Sequence, residues 1–160
     1  MKIGIGCDHN AFELKEIVKS FVEGLGHEVE DYGCYSKDAI DYPDVAFKVS
    51  AGVSNGEVKR GILLCGTGIG MCIAANKYPG IRAALTHDVY SAERAQLSND
   101  AQIITIGSQI LGPEATKKVV AAYLESHWAG GSQAKVDKIV EKEKEFFTEI
   151  SKEISSNSCS

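Results

Sequence analysis

The sequence is poor in several features that would each have pointed to a function. It has no Lys/Arg block, and its formal net charge is -5. A protein that grips a phosphate backbone carries a basic stripe, so nucleic acid is excluded as the main partner. No apolar run approaches the roughly 20 residues of a membrane-spanning helix. The opening MKIGIGCDH passes from one lysine into a strand pattern, without the apolar core of a signal peptide, and a cytoplasmic location is expected. There are only three prolines and one tryptophan, with no internal repeat or low-complexity tract. The five cysteines (Cys7, Cys34, Cys65, Cys72 and Cys159) form no C-x-x-C pair and no zinc-like spacing. Each is therefore read as a free thiol whose role is packing or chemistry.

What is present is a regular alternation of short apolar runs and amphipathic stretches. Lys2–Cys7, 27–31, Gly61–Cys65, 81–85 and 102–106 read as strands. Helical patterns cover 11–25, 44–54, 70–76, 89–97 and 111–126. Short strands without a polar face belong to parallel sheets covered on both sides. The expected fold class is a three-layer α/β/α Rossmann-like domain with a five-stranded parallel sheet over residues 1–131. After Gly130-Gly131, residues 132–160 place Ile139, Phe146, Phe147, Ile150 and Ile154 on a charged background. That pattern predicts an appended amphipathic helix, suited to packing on its own domain or on a second subunit, with a frayed tail from Ser155 onward.

In such a sheet, ligands bind beyond the carboxyl ends of the strands. Strand one ends at Cys7-Asp8-His9, strand three at Cys65-Gly66-Thr67-Gly68, and strand four at Thr86-His87-Asp88. The helix before strand five ends at Ser98-Asn99-Asp100. All four are expected on one rim. In LLCGTGIGMCIAANK, Gly66, Gly68 and Gly70 let backbone N–H groups converge at a helix mouth, a setting for a phosphate or an enediolate oxyanion. The same field favours a thiolate at Cys65, equipped as base or nucleophile. For Cys7 and Cys72 plain packing is the better reading, and Cys159 is incidental. The glycine spacing is not G-x-G-x-x-G and does not follow the first strand, so dinucleotide binding is a weak alternative.

GCDH at 6–9, DYPD at 41–44, CGTGIGMCIAANK at 65–77, GIRAA at 80–84 and SND at 98–100 resemble the ribose-5-phosphate isomerase B / galactose-6-phosphate isomerase family, in order from residue 2 to about 131. The resemblance implies aldose–ketose isomerisation of a small phosphorylated sugar through a cis-enediolate, without metal or cofactor. It implies that Cys65 is the base, that Thr67 and the backbone at Gly66, Gly68 and Gly70 hold the oxyanion, and that Asn99 bonds the reacting end. Asp8 would bind sugar hydroxyls, His9 would face the phosphate, and Tyr42 would line the pocket. Family members are homodimers or homotetramers with sites shared between subunits.

The departures bear on substrate. Ser98 stands where pentose-phosphate members carry the ring-opening histidine, and Gln109, Ser132 and Lys135 stand at expected arginine positions. His9, His87, Arg94 and Lys135 are the remaining cationic candidates, with His87 equally readable as a structural histidine. A tetrose 4-phosphate cannot close a furanose ring, so loss of the histidine would cost it nothing. Erythrose/erythrulose 4-phosphate is the expected pair, with ribose 5-phosphate/ribulose 5-phosphate the rival. The alternatives are one subunit of a heteromeric galactose-6-phosphate-type isomerase, or a non-catalytic sugar-phosphate-binding protein.

Overall fold

The computed structural model describes residues 1–157, so Cys159 lies outside the described residues. Five strands form one parallel sheet: β1 (Lys2–Cys7), β2 (Glu28–Asp31), β3 (Arg60–Cys65), β4 (Ala83–Leu85) and β5 (Ile103–Gly107). The helices between and after them are α1 (Phe12–Gly24), α2 (Tyr42–Ser54), α3 (Ile69–Asn76), α4 (Val89–Asn99), α5 (Pro113–Glu125) and α6 (Gln133–Asn157). The chain divides into two compact units, Met1–Ala129 and the segment from Gly130 onward.

The period-two alternation of the strands explains the layers. Ile62 and Leu64 point into one core with Leu14, Val18, Val22, Ala95 and Val119 of α1, α4 and α5. Leu63 and Cys65 point into the other, with Val45, Val49, Met71 and Ala75 of α2 and α3. α2 lies so close over β1 that a Cβ on Gly6 would sit 2.5 Å from Val45 Cγ1.

The strand order is β2-β1-β3-β5-β4. From β1 the chain moves outward to β2 and then returns to the opposite side of β1 as β3. The order reverses between β1 and β3, which is where a parallel sheet opens a crevice for a ligand. Register pairs Cys7 with Leu64, so the residues that follow, Asp8 and Cys65, leave the sheet side by side. The Asp8 N–H donates to Leu64 O at 3.1 Å across this point.

In the second unit, α6 continues through Asn157, where fraying is expected from the sequence. Its large apolar side chains Ile139, Phe146, Phe147, Ile150 and Ile154 are exposed. Among the described residues no helix is long and apolar enough to cross a membrane.

Candidate active site

Cys65 is the last residue of β3 and is 5% exposed. The chain turns at Gly68, whose φ of 77° lies in the left-handed region, and enters α3. That turn swings the Gly68 N–H back onto Cys65 Sγ at 3.1 Å. Glycine is required there twice over. L side chains are disfavoured at this φ, and a Cβ would fall 2.9 Å from Ile106 C and 3.0 Å from Gly107 N. The reverse contact is equally tight: a Cβ on Gly107 would lie 2.6 Å from Thr67 C. The end of β5 and the 66–68 loop are therefore pressed backbone to backbone.

Two hydrogen bonds hold that contact, Ser108 N–H to Cys65 O at 2.8 Å and Gln109 N–H to Gly66 O at 3.0 Å. Thr67 Oγ1 accepts from Ile69 N–H at 3.3 Å, which leaves its hydroxyl hydrogen to donate elsewhere. The first turn of α3 has no carbonyls one turn back for all its N–H groups, and those of Gly68 and Ile69 are taken up by Cys65 Sγ and Thr67 Oγ1. Tyr42, at the start of α2, lies over this turn; a Cβ on Gly70 would meet its ring at 2.7 Å. Gly66 lies under the Gln109 side chain, whose amide carbon would be 3.4 Å from a Cβ there.

Across the switch point, the buried Asp8 caps the short 3-10 turn His9–Ala11. Its carboxylate accepts from Asn10 N at 3.0 Å and Asn10 Nδ2 at 3.3 Å. His9 Nδ1 accepts from the Ile40 N–H at 3.3 Å. In the neutral ring the proton is then on Nε2, which is left as a donor.

His87 is used differently. Its Nε2 accepts the Gly107 N–H at 2.9 Å, and burial holds the imidazole below its ordinary range. It is a neutral acceptor that buttresses the end of β5. That is the structural side of the two readings the sequence left open, and it makes His87 a poor source of positive charge for a phosphate.

Cys7 and Cys72 have packing surroundings. Cys7 Sγ lies 3.4 Å from Cys34 Sγ with both residues buried, and burial pushes the Cys7 thiol up. Cys72 Sγ reaches Ala83 O at 3.5 Å.

The structure does not bring every expected residue to this rim. α4 runs back along the sheet, so Ser98, Asn99 and Asp100 arrive where strands begin. Arg82, just before β4, donates from Nε to Asn99 O at 3.0 Å and from Nη2 to Asp100 O at 2.7 Å. The five residues of β5 separate this group from Gly107, a span of about 16 Å at ~3.3 Å per residue. The expectation that all strand-end groups meet on one rim therefore fails for Asn99, because a helix that precedes a parallel strand ends at that strand's start. Arg94 shares the face of Ser98, as its spacing predicts, and donates from Nε to Ser98 Oγ at 2.8 Å. Lys135 is exposed on α6 in the second unit.

A parallel sheet with a switch-point crevice, a thiol and a carboxylate on its two sides, and a glycine nest at a helix mouth is an α/β architecture suited to a small anionic ligand. The chain matches the family model described as Ribose/Galactose Isomerase over residues 3–139. It is 49% identical over 138 residues to the ribose-5-P isomerase B of Listeria innocua, covering 86% of this chain and 93% of that protein. It is 46% identical over 142 residues to the D-erythrulose-4-phosphate isomerase of Pectobacterium atrosepticum, covering 87% and 93%. The solved ribose-5-phosphate isomerase B of Clostridium thermocellum superposes with a TM-score of 0.89 at 42% identity, covering 91% of this chain and 99% of that one. The chain belongs to the Ribose/Galactose Isomerase family and is a sugar-phosphate isomerase.

Proposed function

We propose that this chain interconverts the aldose and ketose forms of a short phosphorylated sugar by proton transfer at Cys65. The observation that carries the reading is the Gly68 N–H 3.1 Å from Cys65 Sγ, at the carboxyl end of β3 beside the switch point. That N–H is a donor already in place for a sulfur that gives up and takes back a proton. Thiolate removes the proton from C2 of the open aldose, and the electron pair forms the C1–C2 double bond while O1 becomes the oxyanion. The Thr67 hydroxyl and the N–H groups around Gly66–Gly70 hold that oxygen. The proton returns to C1, and the O2 proton moves to O1, which completes the ketose. Asp8 binds sugar hydroxyls, His9 donates from Nε2 toward the phosphate end, and Tyr42 closes one wall.

Asn99 enters this scheme through a second copy of the chain. It lies at the opposite end of its own sheet, so it can bond the reacting end only of a partner's substrate. Ser98 and Arg94, on the same helix, go with it. The functional unit is a homodimer or a pair of dimers, and residues from 132 onward, including Lys135, are the subunit-contact segment.

The substrate is a tetrose 4-phosphate, the erythrose/erythrulose pair. Ser98 has no acid–base capacity near neutral pH, and Arg94 already occupies its hydroxyl. An open-chain tetrose needs no ring-opening acid. The second reading is ribose 5-phosphate, favoured by the 49% identity to a ribose-5-P isomerase B. Turnover in D2O tests the chemistry. Solvent deuterium should enter at C1 or C2, and Cys65→Ala should abolish both turnover and uptake. Turnover by Cys65→Ala at the parent's rate would refute the thiolate base.

A further inference from the structure

Among the described residues Lys15 is the most deeply buried charged group, at 0% exposure, and the isomerisation scheme makes no use of it. It rises from α1 between the rings of Phe12 and Tyr35, whose centroids are 5.5 and 5.3 Å from Nζ. The ammonium donates to Asp31 Oδ1 at 2.9 Å, Asp31 Oδ2 at 2.8 Å and Cys34 O at 2.7 Å. Glu16 lies 3.0 Å away. Asp31 in turn accepts from Lys19 at 3.2 Å and from Gly33 N–H at 2.9 Å. One buried cation thus grips both ends of the turn 31–34.

That turn is fastened to the site. Cys7 N–H donates to Gly33 O at 2.7 Å, and Cys34 N–H donates to Cys7 O at 2.9 Å. Cys7 is the residue before Asp8. The segment leaving the turn then reaches Ile40, whose N–H bonds His9 Nδ1. A cation buried at this cost is retained only where its partners are in place. Burial opposes the charge on Lys15, but hydrogen bonds to Asp31 and Glu16 outweigh it and hold the ammonium above its ordinary range. Asp31 agrees from the other side: burial works against its charge, yet Lys15 and Gly33 hold its carboxyl below the ordinary range.

We propose that Lys15 is a positioning residue for substrate binding, which holds the 31–40 segment so that Asp8 and His9 face the sugar phosphate. This rests on the reading of Asp8 and His9 as substrate-binding. Asp8 and His9 touch bound substrate in ground and transition state alike, so misplacing them raises KM more than it lowers kcat. Three variants test it in the full chain. Lys15→Met/Asp31→Asn removes both buried charges together, and the partners it leaves, Glu16 and Lys19, reach solvent. Asp31→Asn alone keeps the ammonium, its Cys34 bond and Glu16 as its remaining carboxylate partner. Asp8→Asn calibrates the site.

KM for the sugar phosphate should rise about tenfold in the double variant and about threefold in Asp31→Asn, with kcat within about threefold of the parent. Amide hydrogen exchange at Cys34 and Ile40 should speed up while that of β3 stays slow. Variants that melt cooperatively but keep the parent's KM, while Asp8→Asn raises it, overturn the role of Lys15 alone. An unchanged KM in Asp8→Asn overturns the assignment of Asp8 and the inference with it.

Discussion

Substituting Gly68 by alanine should remove the Sγ-directed N–H from its place, and a second glycine supplies the control. Gly68 and Gly80 share nearly the same φ, 77° and 81°, both in the left-handed region. At Gly80 a Cβ meets nothing within 4 Å. Gly80→Ala therefore carries only the left-handed penalty of about 1–2 kcal/mol. That corresponds to a fall in Tm of about 2–8 °C for a chain of this size. At Gly68 the added methyl also meets Leu85 Cδ1 at 2.7 Å and main-chain atoms of Ile106 and Gly107 at 2.9 and 3.0 Å. The leucine can turn away; the β5 backbone cannot. A further overpacking cost of about 1–3 kcal/mol brings the total to about 2–5 kcal/mol. The relief available is to push the 66–68 loop off β5, which carries the N–H away from sulfur and the oxyanion donors out of line. Loss of one such donor lowers kcat about 10²–10³-fold. The assay is kcat on the preferred sugar phosphate together with thermal melting. Gly80→Ala should melt lower and turn over normally; Gly68→Ala should melt lower still and lose at least about a hundredfold in kcat. A folded Gly68→Ala that keeps the kcat of Gly80→Ala would refute the idea that this nest stabilises charge.

Other predictions follow from the same geometry. Cys65→Ser should fold normally, since the hydroxyl can still accept from Gly68, yet lose at least about 10³-fold in kcat because an alcohol is a far poorer base than a thiolate. Mixing inactive Cys65→Ala and Asn99→Ala chains, with dissociation and reassociation, should restore about a quarter of parental activity: half of random dimers are mixed and each holds one intact site. No restoration would place Asn99 outside a shared site. His87 is held below the ordinary imidazole range, so the unfolded chain takes up a proton before the folded one does. Its contribution to stability is whole above about pH 6.5 and is lost as pH falls beneath that value. His87→Gln, which keeps an acceptor for Gly107, should flatten the dependence of Tm on pH between about 7 and 5; an unchanged slope would show that other groups set it.

Element type and order are legible in the sequence because each strand is a short apolar run between glycine or polar breaks. The carboxyl-end rule alone brings Asp8, Cys65 and the glycine turn together. The 98–100 segment adjoins strand five in sequence, but α4 delivers Asn99 to the start of β5 and not to its carboxyl end. The strand order depends on contacts between distant segments, which periodicity does not encode. His87 was ambiguous because the acceptor role of its Nε2 depends on where the Gly107 N–H points. Lys15 falls on the apolar stripe of α1, three and seven residues before Val18 and Val22, so its burial is implicit in the periodicity while its partners are not. Only the fold shows Asp31 and the Cys34 carbonyl waiting beneath it.

The most direct test of the account is the isomerase activity of the purified chain on D-erythrose 4-phosphate and D-ribose 5-phosphate side by side, with Cys65→Ala as the control. Higher kcat/KM on the tetrose is expected, with no turnover of either sugar by the variant. Faster turnover of the pentose would contradict the ring-opening argument built on Ser98, and turnover by Cys65→Ala would contradict the thiolate base itself.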